Sequence, residues 1–436
     1  MKLLYYGESP MNPTGFGHVN RHLLDACSRV CDVTLVATTH YHEDYDHTLY
    51  PYRIIGCPLD PVEQRDQKHQ RNLVNIEREI KGGDWNIFMY QGDMGWNNDV
   101  LVMAAEMQQQ DPDTKYTIFY MPIDGDYSIK EAFAPFTLCS VPCVYTEHAK
   151  SVIAKYAPDV AENTSVMWLG CDTESFYPLS AEEKRAARLE LFGADYLDRF
   201  LVLNVNRNQP RKDLARCMAA FHLFHEKHPE SSLYLHSVQL DAAGSLPTQA
   251  VLVGCDVYKK PAEVMFSDLD LARPWSRAAL NKLYNAVDCL VSTAHGEGWG
   301  LTTTEAMCAG LPVVVPYNTA NMDILGKPEE PCFYDEREYF TIAPGKRDMV
   351  GRNARGWGVK SGGDLDHTVF MYQNGASLAS VIHAQSFVDT LEYVYYHPDE
   401  AQEKAKVARK WCEENTWEHQ KEKWVQILQM MKERLS

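Results

Sequence analysis

The chain has 436 residues, 45% of them hydrophobic and 23% charged, with a formal net charge of −18. That length suits two domains of roughly 200 residues each rather than one core, and the apolar content excludes bulk disorder. The acidic balance argues against a general binder of nucleic acid or of anionic membranes, since both need a basic surface.

The charge is uneven: residues 1–178 carry 13 Lys+Arg against 25 Asp+Glu, the remaining 258 carry 29 against 35. The first half is therefore the less suited to phosphates. Met1–Gly7 reads as a strand at 2–6 followed by a glycine turn, without the length and flanks of a signal peptide. No apolar run approaches the roughly 20 residues of a membrane span, and a cytoplasmic location is expected. The 12 cysteines are scattered, several inside apolar runs, with no Cys-x-x-Cys pair. They read as reduced core thiols rather than a zinc site or disulfide frame.

In chain order, a loop at Met11–His18 enters a helix at about 16–28. Apolar strand candidates follow at 32–37, 52–56, 86–90, 116–121, 143–146 and 165–168, with helical segments at 63–80, 97–109 and 147–157. This alternation predicts a largely parallel sheet covered on both faces. The polar, His- and acid-rich loop Thr38–His47 reads as solvated more readily than as a metal site. Gly170–Pro178 closes the first domain. A polar helix at 181–192 then leads to a second start, with strands at 200–205, 232–236, 250–254, 288–292 and 312–316 and helices at about 213–227 and 276–286. Residues 326–366 read as an irregular insertion, either a lid carrying arginines or a surface decoration. Three helical segments, near 378–396, 399–413 and 417–434, end the chain, with Trp411, Trp417 and Trp424 expected to anchor them in the core.

Four stretches carry chemistry. After the strand at 288–292, glycines stand at 296, 298 and 300, and a helix follows at 302–309. Strand, glycine turn and helix start is a grammar for holding an anion, because glycine lets the backbone approach and the helix dipole favours phosphate. Glu297 and Glu305 bracket that turn eight residues apart. Carboxylates accept hydrogen bonds from vicinal hydroxyls, so two acids around a phosphate nest suggest a sugar on each side of it. Asn206–Lys212 follows the first strand of the second domain and supplies Arg207 and Lys212, cations suited to a phosphate leaving group. Gly15-Phe16-Gly17 follows the first strand of the chain. The third glycine of a dinucleotide fingerprint is Asn20 instead, and no acid ends the second strand, which speaks against a nicotinamide enzyme. Asp124, at the end of a strand, reads either as a group positioning an acceptor hydroxyl or as a turn aspartate.

Together these residues resemble the retaining glycosyltransferases with two Rossmann-like domains facing across a cleft, the GT-B fold, and within it family 4. The resemblance is strongest at Glu297–Glu305, similar to the family's Glu-x7-Glu signature. Val166–Asp172 through Phe176–Pro178 is similar to its interdomain segment, Asn206–Lys212 to its donor-phosphate loop, and Gly15–Gly17 to its N-terminal glycine loop. The resemblance implies roles. Glu305 would hold the ribose hydroxyls of a nucleotide sugar and Glu297 those of the transferred sugar. Arg207 and Lys212 would neutralise the departing diphosphate, with Gly298, Trp299, Gly300, Leu301 and Thr302 assisting through their backbone. Metal independence, retention of configuration and a C-terminal helix, at about 415–436, crossing back to the first domain are likewise implied. Asp124 stands where the family often has a histidine. After Val315 the chain departs from the family: Pro316-Tyr-Asn-Thr-Ala-Asn-Met-Asp323 stands in place of a glycine-rich turn and glutamate.

The domains expected are 1–178, acceptor-side, and 179–414, for the donor. The expected reaction moves a hexose from a UDP- or GDP-sugar, a co-substrate and not a cofactor, to a hydroxyl acceptor. A carbohydrate, small molecule or protein fits an acidic first domain better than a lipid; a modified nucleobase in DNA is a further option. Rival readings are an epimerase or sugar phosphorylase of the same fold, and a non-catalytic nucleotide-sugar-binding protein.

Overall fold

The computed structural model describes the chain except residues 39–44, 57–64, 96, 128–129, 256, 261, 270–274, 329–350, 372–376 and 436. Most of the loop at 38–47 and the middle of the 326–366 stretch therefore lie outside the described residues. The first part of the chain runs β1 (Lys2–Gly7), α1 (Gly15–Ser28), β2 (Asp32–Ala37), β3 (Arg53–Ile55), α2 (Arg65–Gly82), β4 (Ile87–Gln91), α3 (Asn98–Gln110), β5 (Tyr116–Met121), α4 (Ala134–Leu138), β6 (Val141–Val144), α5 (Glu147–Tyr156), α6 (Pro158–Asn163) and β7 (Ser165–Val166). The second runs α7 (Ala181–Phe192), β8 (Phe200–Val205), α8 (Leu214–His225), β9 (Ser231–His236), β10 (Leu240–Asp241), β11 (Gly244–Ser245), α9 (Leu246–Leu252), β12 (Val264–Phe266), α10 (Arg277–Asn285), β13 (Cys289–Val291), α11 (Leu301–Cys308), β14 (Val313–Pro316) and α12 (Ala320–Leu325). It closes with β15 (Gly351–Asn353), β16 (Gly356–Val359), β17 (Thr368–Met371), β18 (Ser377–Ser380), α13 (Ala384–Tyr396), α14 (Pro398–Glu414) and α15 (Trp417–Arg434).

The chain forms two compact units. The first is built on Met1–Gly170 and takes α15 from the far end of the sequence. Its sheet has the order β3-β2-β1-β4-β5-β6-β7, with neighbours parallel. Strands β4 and β5 are buried almost throughout because helices cover both faces, which is why they read as unbroken apolar runs. The terminal helix joins this core through Trp417 and Trp424, 6% and 1% exposed. Trp417 stacks on His22 at 4.2 Å, and Trp424 meets Tyr120 edge-on at 5.0 Å. Gly170 makes the approach close: a Cβ there would lie 2.2 Å from Cα of Trp417.

The second unit comprises Cys171–Met371 and Leu378–Thr416. Its sheet has the order β12-β9-β8-β13-β14-β16-β15. Taken by appearance in the chain, this repeats the third-second-first-fourth-fifth order of the first unit, with one antiparallel edge strand, β15. Both sheets thus reverse direction beside their first strand, at β1/β4 and at β8/β13. In open α/β sheets, ligands bind outside the carboxyl ends of the strands at that point.

Three expectations are corrected. The apolar run at 250–254 is not a strand: α9 occupies Leu246–Leu252, with Val253 as its C-cap and Gly254, φ 99°, in the turn that follows. Pro247 suits a helix's first turn, and a short run such as Ala-Val-Leu-Val has no periodicity to tell buried helix from strand. The stretch 326–366 is not irregular throughout, since β15 and β16 form a hairpin at the sheet edge. The helix placed at 378–396 starts only at Ala384, after β18. Trp411 lies half-buried beneath the Arg355 guanidinium, 4.7 Å from its ring centre.

Candidate functional site

The loops leaving β8 and β13 are Asn206–Asp213 and Ser292–Gly300, so both flank the switch point of the second unit. They are tied together. The His295 amide donates to Arg211 O at 2.8 Å, and the buried Thr293 hydroxyl lies 3.0 Å from the carbonyls of both Lys212 and Asp213. Asp213 holds the corner: its backbone is left-handed (φ 47°), and its side chain caps α8 by accepting from the Arg216 amide. The same carboxylate lies 3.0 Å from Nε2 of His295. Asp tolerates this conformation better than most residues because its short side chain bonds locally.

Pro210–Lys212 forms a single 3-10 turn that aims Arg211 and Lys212 at the facing loop. Lys212 Nζ donates to Glu297 Oε1, and Arg211 Nη1 lies 3.5 Å from Oε2. Arg211 also donates to Gly296 O at 3.1 Å. The Lys212 and Glu297 side chains are only 11% and 14% exposed. Burial pushes the Glu297 carboxyl up, but Lys212 and Arg211 overcome it and hold the group below the usual carboxylate range. Glu297 is therefore a carboxylate held ionised between two cations. Its amide donates to the Thr319 hydroxyl at 2.9 Å, from the segment where the chain departs from the family pattern. Thr319 has φ 44°, a conformation that costs a β-branched residue energy and marks strain held at the site.

Glu305 differs. It sits on α11 and accepts from the Tyr284 hydroxyl at 2.9 Å. Burial pushes its carboxyl up to about 7, against the opposing pull of Tyr284 and Arg277. Arg277 is anchored 2.6 Å from Asp172 and lies over Phe176, whose ring meets Tyr284 edge-on at 5.6 Å. The segment Asp172–Phe176 thereby lines the Glu305 side of this unit. Gly300, φ 91°, starts α11. A Cβ there would lie 3.5 Å from the Asn321 side chain. Trp299 is buried, while Gly298, Leu301 and Thr302 are half-buried at the turn.

Arg207 does not join Lys212. Its guanidinium forks onto Asp241 at 3.0–3.2 Å and is 55% exposed. The hairpin of β10 and β11 brings that carboxylate within reach, while the turn at Pro210 carries Arg211 to Glu297 instead. Arg211, Thr319, Tyr284 and Arg277 went unread in the sequence as site residues; only Arg211 gave a signal, being a cation in the same loop.

In the first unit, Thr14 caps α1 by accepting from Gly17 N at 3.0 Å, so Gly15, Phe16 and Gly17 are its first turn. A Cβ on Gly17 would lie 2.4 Å from Asn12 O, which leaves no room for a side chain. Asp124 follows β5, is 9% exposed and accepts from the Tyr127 hydroxyl at 3.2 Å. Both features stand at carboxyl ends of parallel strands, β1 and β5.

Two units with parallel, doubly wound sheets and the site at a switch point define the two-domain α/β architecture of the GT-B fold. Residues 193–331 match the family "Glycosyl transferases group 1", a span that contains Arg207, Lys212, Glu297 and Glu305. Among solved structures, sucrose-phosphate synthase from Thermosynechococcus elongatus superposes with a TM-score of 0.67 at 14% identity, covering 99% of each chain. Anabaena HepE, in complex with UDP and glucose, gives 0.63 at 14% identity over 98% of this chain and 99% of its own. The E. coli structure described as "Trehalose-6-phosphate" bound with UDP-2-fluoro glucose gives 0.61 at 11% identity over 98% and 99%. No curated protein sequence matches the chain. No described helix is long and apolar enough to cross a membrane.

Proposed function

We propose that the protein is a retaining glycosyltransferase that moves a hexose from a nucleotide diphosphate sugar to an acceptor hydroxyl without a divalent metal. The carrying observation is Glu297, a part-buried carboxylate kept ionised by Lys212 and Arg211 at the turn preceding α11. A diphosphate leaving group gains negative charge as its bond breaks, and preorganised cations stabilise that charge more in the transition state than before it. Lys212 and Arg211 fill this role. Arg207, on its hairpin carboxylate, serves the outer phosphate. Glu297, freed from Lys212 when the anion takes the cation, accepts from hydroxyls of the transferred sugar, and Glu305 accepts from the ribose. The backbone from Gly298 to Thr302 approaches the diphosphate. In the first unit, Asp124 orients the acceptor. The family match over 193–331 and the neighbours bound with UDP and UDP-2-fluoro glucose support a UDP-sugar first, with GDP-sugars as the second choice.

The test is transfer from a panel of nucleotide sugars to carbohydrate, small-molecule and protein hydroxyls. Lys212→Ala should lower kcat by about 10²–10³-fold, the loss typical of removing one group that stabilises developing charge. Glu297→Gln should lower kcat/KM by a similar factor with the fold intact. Full activity in both variants overturns the assignment.

A further inference from the structure

At the other end of the second unit's sheet, three side chains of mixed chemistry converge. One ring nitrogen of His222, Sγ of Cys255 and a carboxylate oxygen of Glu263 lie within 4.8 Å of one another. They come from three separate elements. His222 is on the last turn of α8, Cys255 follows the glycine turn that ends α9, and Glu263 immediately precedes β12. Glu263 and Cys255 are each 1% exposed, whereas the His222 side chain keeps 21%. Nδ1 of His222 meets Glu263 Oε1 at 2.6 Å. The other oxygen, Oε2, is buried without a hydrogen-bond partner among the described residues. Burying a carboxylate in this way is costly unless its remaining lone pairs are used.

We propose that His222, Cys255 and Glu263 bind a zinc-type divalent cation. One imidazole nitrogen, one thiolate and one carboxylate suit zinc, a borderline-soft ion that accepts all three donor types; calcium and magnesium demand oxygen alone. The half-exposed His222 leaves a way in, and a water molecule completes a tetrahedral set. On binding, Cys255 gives up its proton to solvent and the Glu263 Oε2 lone pairs gain a partner. The glycine turn is shaped for it. Gly254 has φ 99°, and a Cβ there would lie 3.4 Å from Nε2 of His222, so the chain folds back close against the imidazole. The site stands apart from transfer chemistry: α8 runs from Leu214, beside the donor loops, to His222, a rise of about 12 Å. It ties the ends of α8 and α9 to the edge strand β12, which makes it a structural site.

The full chain, stripped with a chelator, is titrated with cobalt(II) alone and then with zinc(II). The expected result is one equivalent of cobalt with a thiolate-to-cobalt charge-transfer band, displaced by zinc, and a raised melting temperature with zinc. Cys255→Ser should abolish the band, and Glu263→Gln should weaken binding at least about tenfold. Cys171→Ser, in the separate buried group Cys171–Cys308–Cys412, should leave the band unchanged. The inference is overturned by no band in the wild-type chain, by a band that persists in Cys255→Ser, or by one that disappears in Cys171→Ser. Should Cys255→Ser fail to fold, unchanged affinity in Glu263→Gln overturns it equally.

Discussion

Glu297 and Glu305 stand eight residues apart, yet their protons answer to opposite surroundings. Glu297 faces two cations and stays ionised; Glu305 faces a tyrosine hydroxyl in a buried setting, which lifts its carboxyl to about 7. The raised group holds its proton more tightly in the folded chain than in the unfolded one. The stability it contributes is complete below about pH 4.5 and is lost as the pH rises through about 7. Glu305→Gln cannot ionise, so its melting temperature should gain on the wild type between pH 5 and pH 8 (roughly the window set by that shift). If only the ionised carboxylate accepts from ribose, donor affinity should fall in the wild type as the pH drops below 7, while Glu305→Gln binds weakly at every pH; calorimetric titration at two pH values checks both. The spacing of these acids was legible because it lies within one loop and one helix. Which arginine faces Glu297 was not, because Arg207 is claimed by Asp241, 34 residues away, on a hairpin that left no pattern in the sequence.

The element that positions Lys212 is α8, through its cap. Asp213 has a left-handed backbone, accepts from the Arg216 amide and lies against His295. Replacement by Ala loses the cap, worth about 1 kcal/mol, and leaves a Cβ-bearing residue in a conformation costing about 1–2 kcal/mol. Asp213→Gly loses the side-chain bonds but not the conformational freedom. Thermal unfolding should therefore rank wild type above Asp213→Gly above Asp213→Ala; equal losses in the two variants would show that the left-handed backbone relaxes. At this scale the sequence was most informative where periodicity ran long. Strands β2, β5 and β8 and helices α7 and α15 fall at the residues read for them, because each has an apolar run or a capping pattern of its own. Helix α9 and the hairpin of β15 and β16 escaped because both are short. Gly351 and Gly358 show why the hairpin looked like a loop: a Cβ on Gly351 would lie 2.1 Å from Gly358 O, so close strand approach needs the glycines that break an apolar pattern.

At the scale of the molecule, the two units share one strand order but not one way of closing their cores. The second closes mainly with its own consecutive helices. The first draws α15 from more than 200 residues beyond Gly170, the end of its main stretch. Trp424 is 1% exposed and meets Tyr120 of β5, so a contact spanning some 300 residues of sequence completes the covering of a central strand. Such a contact returns no energy until the chain between its ends is folded, which makes the first unit depend on the last residues of the sequence. Trp424→Ala should cost about 3–5 kcal/mol, the usual loss for a buried tryptophan truncated to Ala. The informative measurement is hydrogen exchange residue by residue. If α15 is a structural member of the first core, protection should fall not only in Trp417–Arg434 but also in β5 and its neighbours β4 and β6. Loss confined to the helix itself would mean that the strands are stable without it, and that α15 is a cover laid over a finished core. The full burial of Tyr120 favours the first outcome, since removing the indole opens a cavity against its ring.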